Sequence, residues 1–100
     1  CEDGAHCSID GLQGKGLGNG DRVMMLTACG SQGRTLENRG FPNGPIEGTD
    51  CGTSYSFGQL SVGNAMLCWC PAAVDCGMEP RYYRRFVGTI RVRCRPGFLE

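Results

Sequence analysis

The densest group of chemically active side chains is the segment 68–76, which reads Cys-Trp-Cys-Pro-Ala-Ala-Val-Asp-Cys and holds three of the eight cysteines and the sole tryptophan. Thiolates can bind zinc, but this spacing lacks the paired Cys-x2-4-Cys units of common structural zinc sites. An even number of cysteines in a chain of 100 residues favours disulfides, and four bridges would leave no thiolate free. We therefore expect neither metal nor cofactor and interpret the segment as structural.

No arrangement of residues indicates catalysis. His6 is the only histidine, and a Cys–His nucleophile needs a free thiol, which a fully oxidised set does not supply. There is no Gly-x-Ser-x-Gly motif, and the glycine-rich run 14–20 fits neither a dinucleotide-binding nor a phosphate-binding loop. The carboxylates are scattered, which is typical of a solvated surface. The sequence therefore predicts a protein that is not an enzyme.

Arginine is concentrated near the end of the sequence. The net charge is zero, yet residues 81–100 hold six arginines against one acid. The first interpretation is a solvated strand face that pairs locally with the acidic remainder of the chain. The alternative is a contact patch for an acidic or phosphate-bearing partner, since arginine binds such groups in a bidentate manner. The predicted partner-binding residues are Arg81, Arg84, Arg85, Arg91 and Arg93, of which Arg91 and Arg93 are the strongest candidates.

Neighbouring aromatic residues raise the question of nucleic acid. Tyr82, Tyr83 and Phe86 lie among these arginines, and such interleaving can support phosphate contacts and base stacking. Zero net charge and an oxidising setting argue against that role. We expect a protein partner and no nucleic acid.

The composition predicts one small domain, residues 1–100, that depends on disulfides. Ile, Leu, Val and Phe together number 19, which is few for a core of this size. Cysteine-rich chains of this length are typical of oxidising compartments, so we expect a secreted, extracellular, monomeric protein whose leader has been removed. No apolar run approaches the roughly 20 residues of a membrane span.

Three segments are predicted strands: 22–28, 65–69 and 87–94. Apolar residues on both faces of 22–28 indicate a central strand covered on both sides. Alternation in 87–94 places Ile90 and Val92 on a buried face and Arg91 and Arg93 on a wet one. Residues 1–20 and 30–54 are predicted loops, 55–62 a short helix or strand, and 79–86 a helical turn that starts at Pro80.

Five local motifs resemble those of the small secreted killer toxins of smut fungi, the "KP-four" type, and of the related killer-toxin-like fungal effectors. The matches occur in the family's order. They are Cys1-x5-Cys7, Cys29-Gly30-x-Gln32-Gly33-x-Thr35, Cys51-Gly52-Thr53, Cys76-Gly77-x-x-Pro80-x-Tyr82, and Gly88-x-Ile90-x-Val92 ahead of Cys94.

The resemblance implies an α+β fold: a disulfide-stapled α/β-sandwich in which short helices pack on one face of an antiparallel sheet. It also implies one of the 105 pairings that eight cysteines allow. That pairing is Cys1–Cys70, Cys7–Cys76, Cys29–Cys94 and Cys51–Cys68. Under it, the segment 68–76 receives the N-terminal arm and the long loop.

The implied function is a toxin or effector that acts on a foreign or host target by binding. The target would be a host or competitor-cell protein, with membrane channels and receptors among the candidates. Thr49 stands where the family has its functional lysine, so channel block by that residue is not carried over. The interval from Cys51 to Cys76 is shorter than in the family and lacks clear amphipathic helices. Two alternatives stay open: a cytokine-like extracellular ligand, and an inhibitor of a secreted hydrolase that inserts residues 30–50.

Overall fold

The computed structural model describes residues 1–12, 17–30, 33–36, 41–42 and 44–94. These form six strands and one short 3-10 turn, Pro80–Tyr82. The strands are β1 (His6–Ile9), β2 (Arg22–Leu26), β3 (Ile46–Glu47), β4 (Tyr55–Gln59), β5 (Gly63–Cys70) and β6 (Arg85–Val92).

The strands make two antiparallel sheets. The larger has the order β3-β2-β5-β6, and the smaller pairs β1 with β4. Strand β5 is central, pairing Met25 with Leu67 on one side and Ala65 with Ile90 on the other. A bulge beside Val87 interrupts the β5–β6 register, because Leu67 pairs with Gly88 and Cys68 with Phe86. β6 is therefore an edge strand with a local irregularity near its start.

The larger sheet is buried on both faces along β2, as its pattern predicts. Alternate residues such as Val23, Met25 and Leu67 face the β1–β4 sheet and join the main apolar cluster with Tyr55 and Phe57. The intervening residues of β2 and β5 form a second cluster on the opposite face, where cysteines replace much of the apolar bulk. Its members are Met24, Leu26, Cys68, Cys70, Cys76 and Tyr83.

The predicted α+β sandwich is wrong. About 45% of the residues are in strands and 4% are helical, and the described residues form two β-sheets with no helix packed on either. In the segment 79–86, only Pro80–Tyr82 turns, because Tyr83 is drawn into the second cluster and β6 begins at Arg85. A layer of disulfides and loops lies where the resemblance implies helices.

Two predicted loops contain strands. β1 lies within 1–20, where Cys7 is buried and the strand pairs with β4. β3 lies within 30–54, and Leu36 and Phe41 from this region are also buried. The ambiguous segment 55–62 forms β4. The predicted loops also include 13–16, 31–32, 37–40 and 43, which lie outside the described residues.

The disulfides differ from those that the resemblance implies. The structure pairs Cys1 with Cys7, Cys29 with Cys68, and Cys70 with Cys76. None of the four implied pairs, Cys1–Cys70, Cys7–Cys76, Cys29–Cys94 and Cys51–Cys68, is therefore formed. The reason is topological: β2 pairs with β5, so Cys29, shortly after β2, lies beside Cys68, with 5.5 Å between their Cα atoms.

Cys51 and Cys94 are free and exposed. The Cys51 amide donates to the Asn19 side chain at 2.8 Å, near the start of β2, where Arg22 pairs with the last residue of β5. Cys94 follows Val92, which pairs with the first residue of β5. Eight residues of β5 put these ends roughly 23 Å apart, far beyond the reach of a disulfide.

Within the described part of the chain, no helix is long and apolar enough to span a membrane. Three disulfides in so small a domain fit an extracellular protein.

Candidate binding site

A groove of about 400 Å³ opens where β5 ends and β6 begins. We call it the basic–aromatic groove. Its walls combine a tryptophan, a tyrosine, two arginines and small apolar side chains. The lining residues are Trp69, Pro71, Val74, Cys76, Tyr82, Arg84 and Arg85.

The loop 71–75 shapes one wall of the groove. Pro71 follows the last residue of β5 and cannot continue the strand's ladder. The chain turns there, with the Val74 amide donating to the Pro71 carbonyl at 3.1 Å, and the Cys70–Cys76 disulfide closes the turn. Beneath it, Arg22 Nη2 donates to the Val74 carbonyl at 2.8 Å. Val74 is thereby held with about half of its side chain exposed.

Tyr83 anchors the opposite wall. Its side chain is fully buried in the second cluster, and its hydroxyl donates to the Gly77 carbonyl at 2.7 Å. Burial raises the pKa of Tyr83, with Arg22 opposing and Asp75 adding to the rise, so the phenol stays a donor at neutral pH. This anchor leaves the preceding Tyr82 exposed on the groove.

Arginine side chains stack on the groove's aromatic rings. The Arg85 guanidinium lies 5.8 Å from the centre of the Trp69 ring, and that of Arg81 lies 5.1 Å from the centre of the Tyr82 ring. Arg84 Nε approaches the Arg81 carbonyl at 3.4 Å. A cation over an aromatic face is attracted by the ring and keeps the donors at its edge available. All three arginines are exposed, so the groove presents cations beside apolar surface.

The structure divides the five predicted arginines between the two ends of β6. Arg84 and Arg85 line the groove, and Arg81 lies over the ring of Tyr82, which also lines it. Arg91 and Arg93 line a separate cavity of about 310 Å³ at the other end, together with Cys1, Glu2 and Cys94. The predicted alternation is confirmed, since Ile90 and Val92 are buried while Arg91 and Arg93 are exposed.

A third cavity, of about 290 Å³, is polar, and we call it the polar recess. It lies beside the β1–β4 sheet and is lined by His6, Ser8, Asp10, Thr49, Asp50, Ser54, Tyr55 and Ser56. His6 Nε2 and Ser56 Oγ are 2.9 Å apart, because β1 and β4 pair across a bulge. Within the described residues, no carboxylate hydrogen-bonds to the His6 ring, so the pair lacks the third, orienting group of a hydrolase triad.

Asp21 is the main residue that sequence reasoning missed. It is 1% exposed, and its carboxylate accepts from the Gly18 and Ala72 amides, each at 2.8 Å. Its backbone carbonyl also accepts from Gly48 at 2.8 Å. Asp21 thus joins the groove loop to the segment that borders the recess. The turn pattern Asn19-Gly20-Asp21 was the available signal, but it does not reveal distant partners.

The pKa of Tyr55 responds to the charge on Asp21. Burial raises the pKa of the Tyr55 hydroxyl, and the nearby negative charge of Asp21 adds to the rise. Tyr55 also packs on Gly48, where an added Cβ would lie 2.7 Å from the ring. The Asp21 region is therefore close-packed and leaves no room for a ligand.

The described residues contain no group of three or more His, Cys, Asp or Glu side chains arranged to hold a metal ion. No protein-family model matches the chain, and comparisons with curated proteins and with solved structures found no match.

Proposed function

We propose that this protein is a secreted effector or toxin-like ligand that binds an acidic surface on a host or competitor-cell protein, without catalysis, through the basic–aromatic groove. The observation that carries the proposal is the stacking of Arg85 on Trp69 and of Arg81 on Tyr82 around one groove. Trp, Tyr and Arg are the residue types that dominate binding energy at protein interfaces.

Charge supports an acidic partner. The groove contributes arginines and no carboxylate to its lining. Arginine suits such a partner because its planar fork of donors matches a carboxylate and loses less side-chain freedom per hydrogen bond than lysine does. The apolar walls, Val74 and Tyr82, offer contact to an apolar or aromatic side chain between the partner's acids. The expected ligand is an acidic segment with an apolar anchor.

The resemblance to killer toxins contributes only a class of action to this proposal, namely binding to a target on a foreign cell. Its local motifs are those quoted above. The α/β-sandwich that it implies is not formed, so no residue role is taken from it. The proposal depends on the groove.

The test is a selection from a random peptide library displayed on phage, with the immobilised protein as bait. We expect enrichment of peptides rich in Asp and Glu that carry one aromatic or leucine residue. Trp69, the sole tryptophan, lines the groove, so its fluorescence gives the affinity of each selected peptide.

The double variant Arg84→Glu/Arg85→Glu should bind these peptides at least tenfold more weakly, with an unchanged melting temperature. The matched control is Arg91→Glu/Arg93→Glu, which makes the same charge change at the far end of β6 and should weaken binding less. Selection of neutral or basic peptides, or equal losses in the two variants, would refute the groove as the binding site.

A further inference from the structure

The open edge of β6 offers a second set of binding groups next to the groove. β6 is the last strand of the larger sheet, and among the described residues only Cys1 to Asp3 lie along it. That arm contacts the far end: the Arg93 amide donates to the Cys1 carbonyl at 3.0 Å, and the Asp3 amide donates to the Arg93 carbonyl at 2.8 Å. In the part of the chain that the structure describes, no segment covers the part of β6 nearer the groove.

The direction of the backbone groups follows from those bonds. The amide and carbonyl of Arg93 both face away from β5, toward the arm. Backbone groups alternate along a strand, so those of Arg91 and Thr89 face the same way, while Ile90 pairs with Ala65 of β5. The Thr89 amide and carbonyl therefore point outward at the middle of the open edge.

Side chains along this edge could contact a ligand strand that lies beside β6. Phe86 is 54% exposed and Thr89 is exposed, and both lie on the wet face of the sheet. Arg85, beside Phe86, leads directly to the groove. A strand along β6 would thus have an apolar contact at Phe86 and cations at each end of the open edge.

The arginines beside the open edge of β6 indicate what kind of strand can bind there. Arg84 and Arg85 lie at one end of the edge, and Arg91 and Arg93 at the other. Two copies paired edge to edge would bring arginines together in either orientation, which is unfavourable. An acidic strand from another protein would instead place carboxylates beside them.

We infer that the acidic partner binds by strand addition, pairing its backbone with β6 at Thr89 so that one end of the added strand enters the basic–aromatic groove. This inference rests on the proposed function and specifies its mode of recognition. Main-chain bonds would supply affinity, and the arginines would supply the preference for acidic sequences.

The experiment uses two synthetic ten-residue peptides that alternate Glu with Val or Thr around a central Phe. One has a normal backbone, and the other is N-methylated at every residue, which keeps the charge but removes the amide donors from both edges of the peptide strand. Binding to the intact protein is followed by Trp69 fluorescence. We expect the normal peptide to bind at least tenfold more tightly than the methylated one.

Variants of Thr89 test the same backbone hydrogen bonds by changing the protein instead of the peptide. Thr89→Pro removes an amide that faces away from β5, and the preceding Gly88 tolerates the proline, so the sheet should be retained. Thr89→Val, which keeps the amide, is the matched control. Thr89→Pro should weaken binding of the normal peptide about tenfold and leave binding of the methylated peptide unchanged.

Equal affinity of the two peptides for the unmodified protein would overturn strand addition, even if Thr89→Pro fails to fold. If both peptides still lose affinity in Arg84→Glu/Arg85→Glu, the proposed function stands without this mode. If the normal peptide binds that variant as tightly as it binds the unmodified protein, or does not bind the unmodified protein at all, both proposals fail.

Discussion

The basic–aromatic groove and the polar recess differ in how far their polar groups are already satisfied. In the recess, the Ser56 hydroxyl and the His6 ring share a hydrogen bond. The turn at Asp50 is closed by its own hydrogen bonds, with Thr53 Oγ1 donating to the Asp50 carbonyl at 2.7 Å. In the groove, Arg85 stacks on Trp69 and leaves its edge donors to solvent. A ligand gains most where the cavity's polar groups are not already hydrogen-bonded within the protein. The two cavities therefore differ in the hydrogen bonds that they can offer a ligand rather than in volume.

The two regions are also held differently. Two disulfides, Cys29–Cys68 and Cys70–Cys76, lie in or beside the cluster under the groove. The recess depends on the β1–β4 pairing, on the turn that Thr49 and Ser54 close, and on one disulfide, Cys1–Cys7, that ends in β1. The side of the molecule that we propose binds a partner is therefore the more heavily cross-linked side. Fixing a site before binding reduces the entropy lost on association.

The largest expected effect comes from removing Cys29–Cys68 with Cys29→Ser/Cys68→Ser. The bridge closes a loop with a sequence separation of 39, and the chain-entropy model gives a loss of about 4 kcal/mol in the free energy of unfolding. Urea denaturation followed by Trp69 fluorescence measures it. The matched control, Cys51→Ser, removes an exposed free thiol and should change stability by less than about 0.5 kcal/mol.

A loss in Cys51→Ser as large as in the double variant would contradict this disulfide assignment. It would favour instead the Cys51–Cys68 bridge that the killer-toxin resemblance implies. Mass mapping of disulfides in the same sample decides between the two.

Asp21→Ala should have the next largest effect, because Asp21 connects the two regions. The change removes the buried carboxylate that accepts from the part-buried Gly18 and Ala72 amides, and losing two hydrogen bonds to a charged acceptor costs about 2–3 kcal/mol. Asp21→Asn keeps one acceptor oxygen and should lose about half as much. Loss of the charge should also lower the pKa of Tyr55, since Asp21 contributes to its rise.

The measurements are urea denaturation for stability and absorbance at alkaline pH for tyrosine ionisation. If Asp21 also positions the groove loop through Ala72, Asp21→Ala weakens peptide binding at the groove as well. If stability falls by less than about 0.5 kcal/mol, water satisfies the freed amides and Asp21 does not join the two regions.

Prediction from sequence succeeded where a local pattern carried the information. Apolar residues on both faces of 22–28 identified the central strand, and the alternation from Ile90 to Arg93 identified the two faces of β6. Segment ends were less accurate: the strand predicted at 87–94 spans Arg85–Val92. A bulge at Val87 lets β6 start earlier than strict alternation allows.

Long-range pairing could not be read from local pattern. Arginine spacing gave five candidates on one segment, but only the sheet shows that Arg85 and Arg93 lie at opposite ends of a strand. Trp69 and Tyr82 form one groove because a disulfide folds the intervening loop, and the pairing of Cys70 with Cys76 depends on the fold. The contacts of Asp21 could not be predicted either. Its donors are backbone amides, which any residue supplies, and Ala72 is 51 residues away in sequence.

The smallest effect is expected at His6 in the polar recess. His6 and Ser56 are both exposed, so His6→Ala exchanges their hydrogen bond for water and should change stability by less than about 0.5 kcal/mol. Binding of acidic peptides at the groove should be unchanged. A fluorophosphonate that labels activated serines should not label Ser56, because no carboxylate among the described residues orients the His6 ring and His6 is open to solvent. Labelling of Ser56 that disappears in His6→Ala would contradict this prediction. The recess would then be a reactive site, and it would differ from the groove in the reactivity of Ser56 rather than in the hydrogen bonds that its polar groups already make.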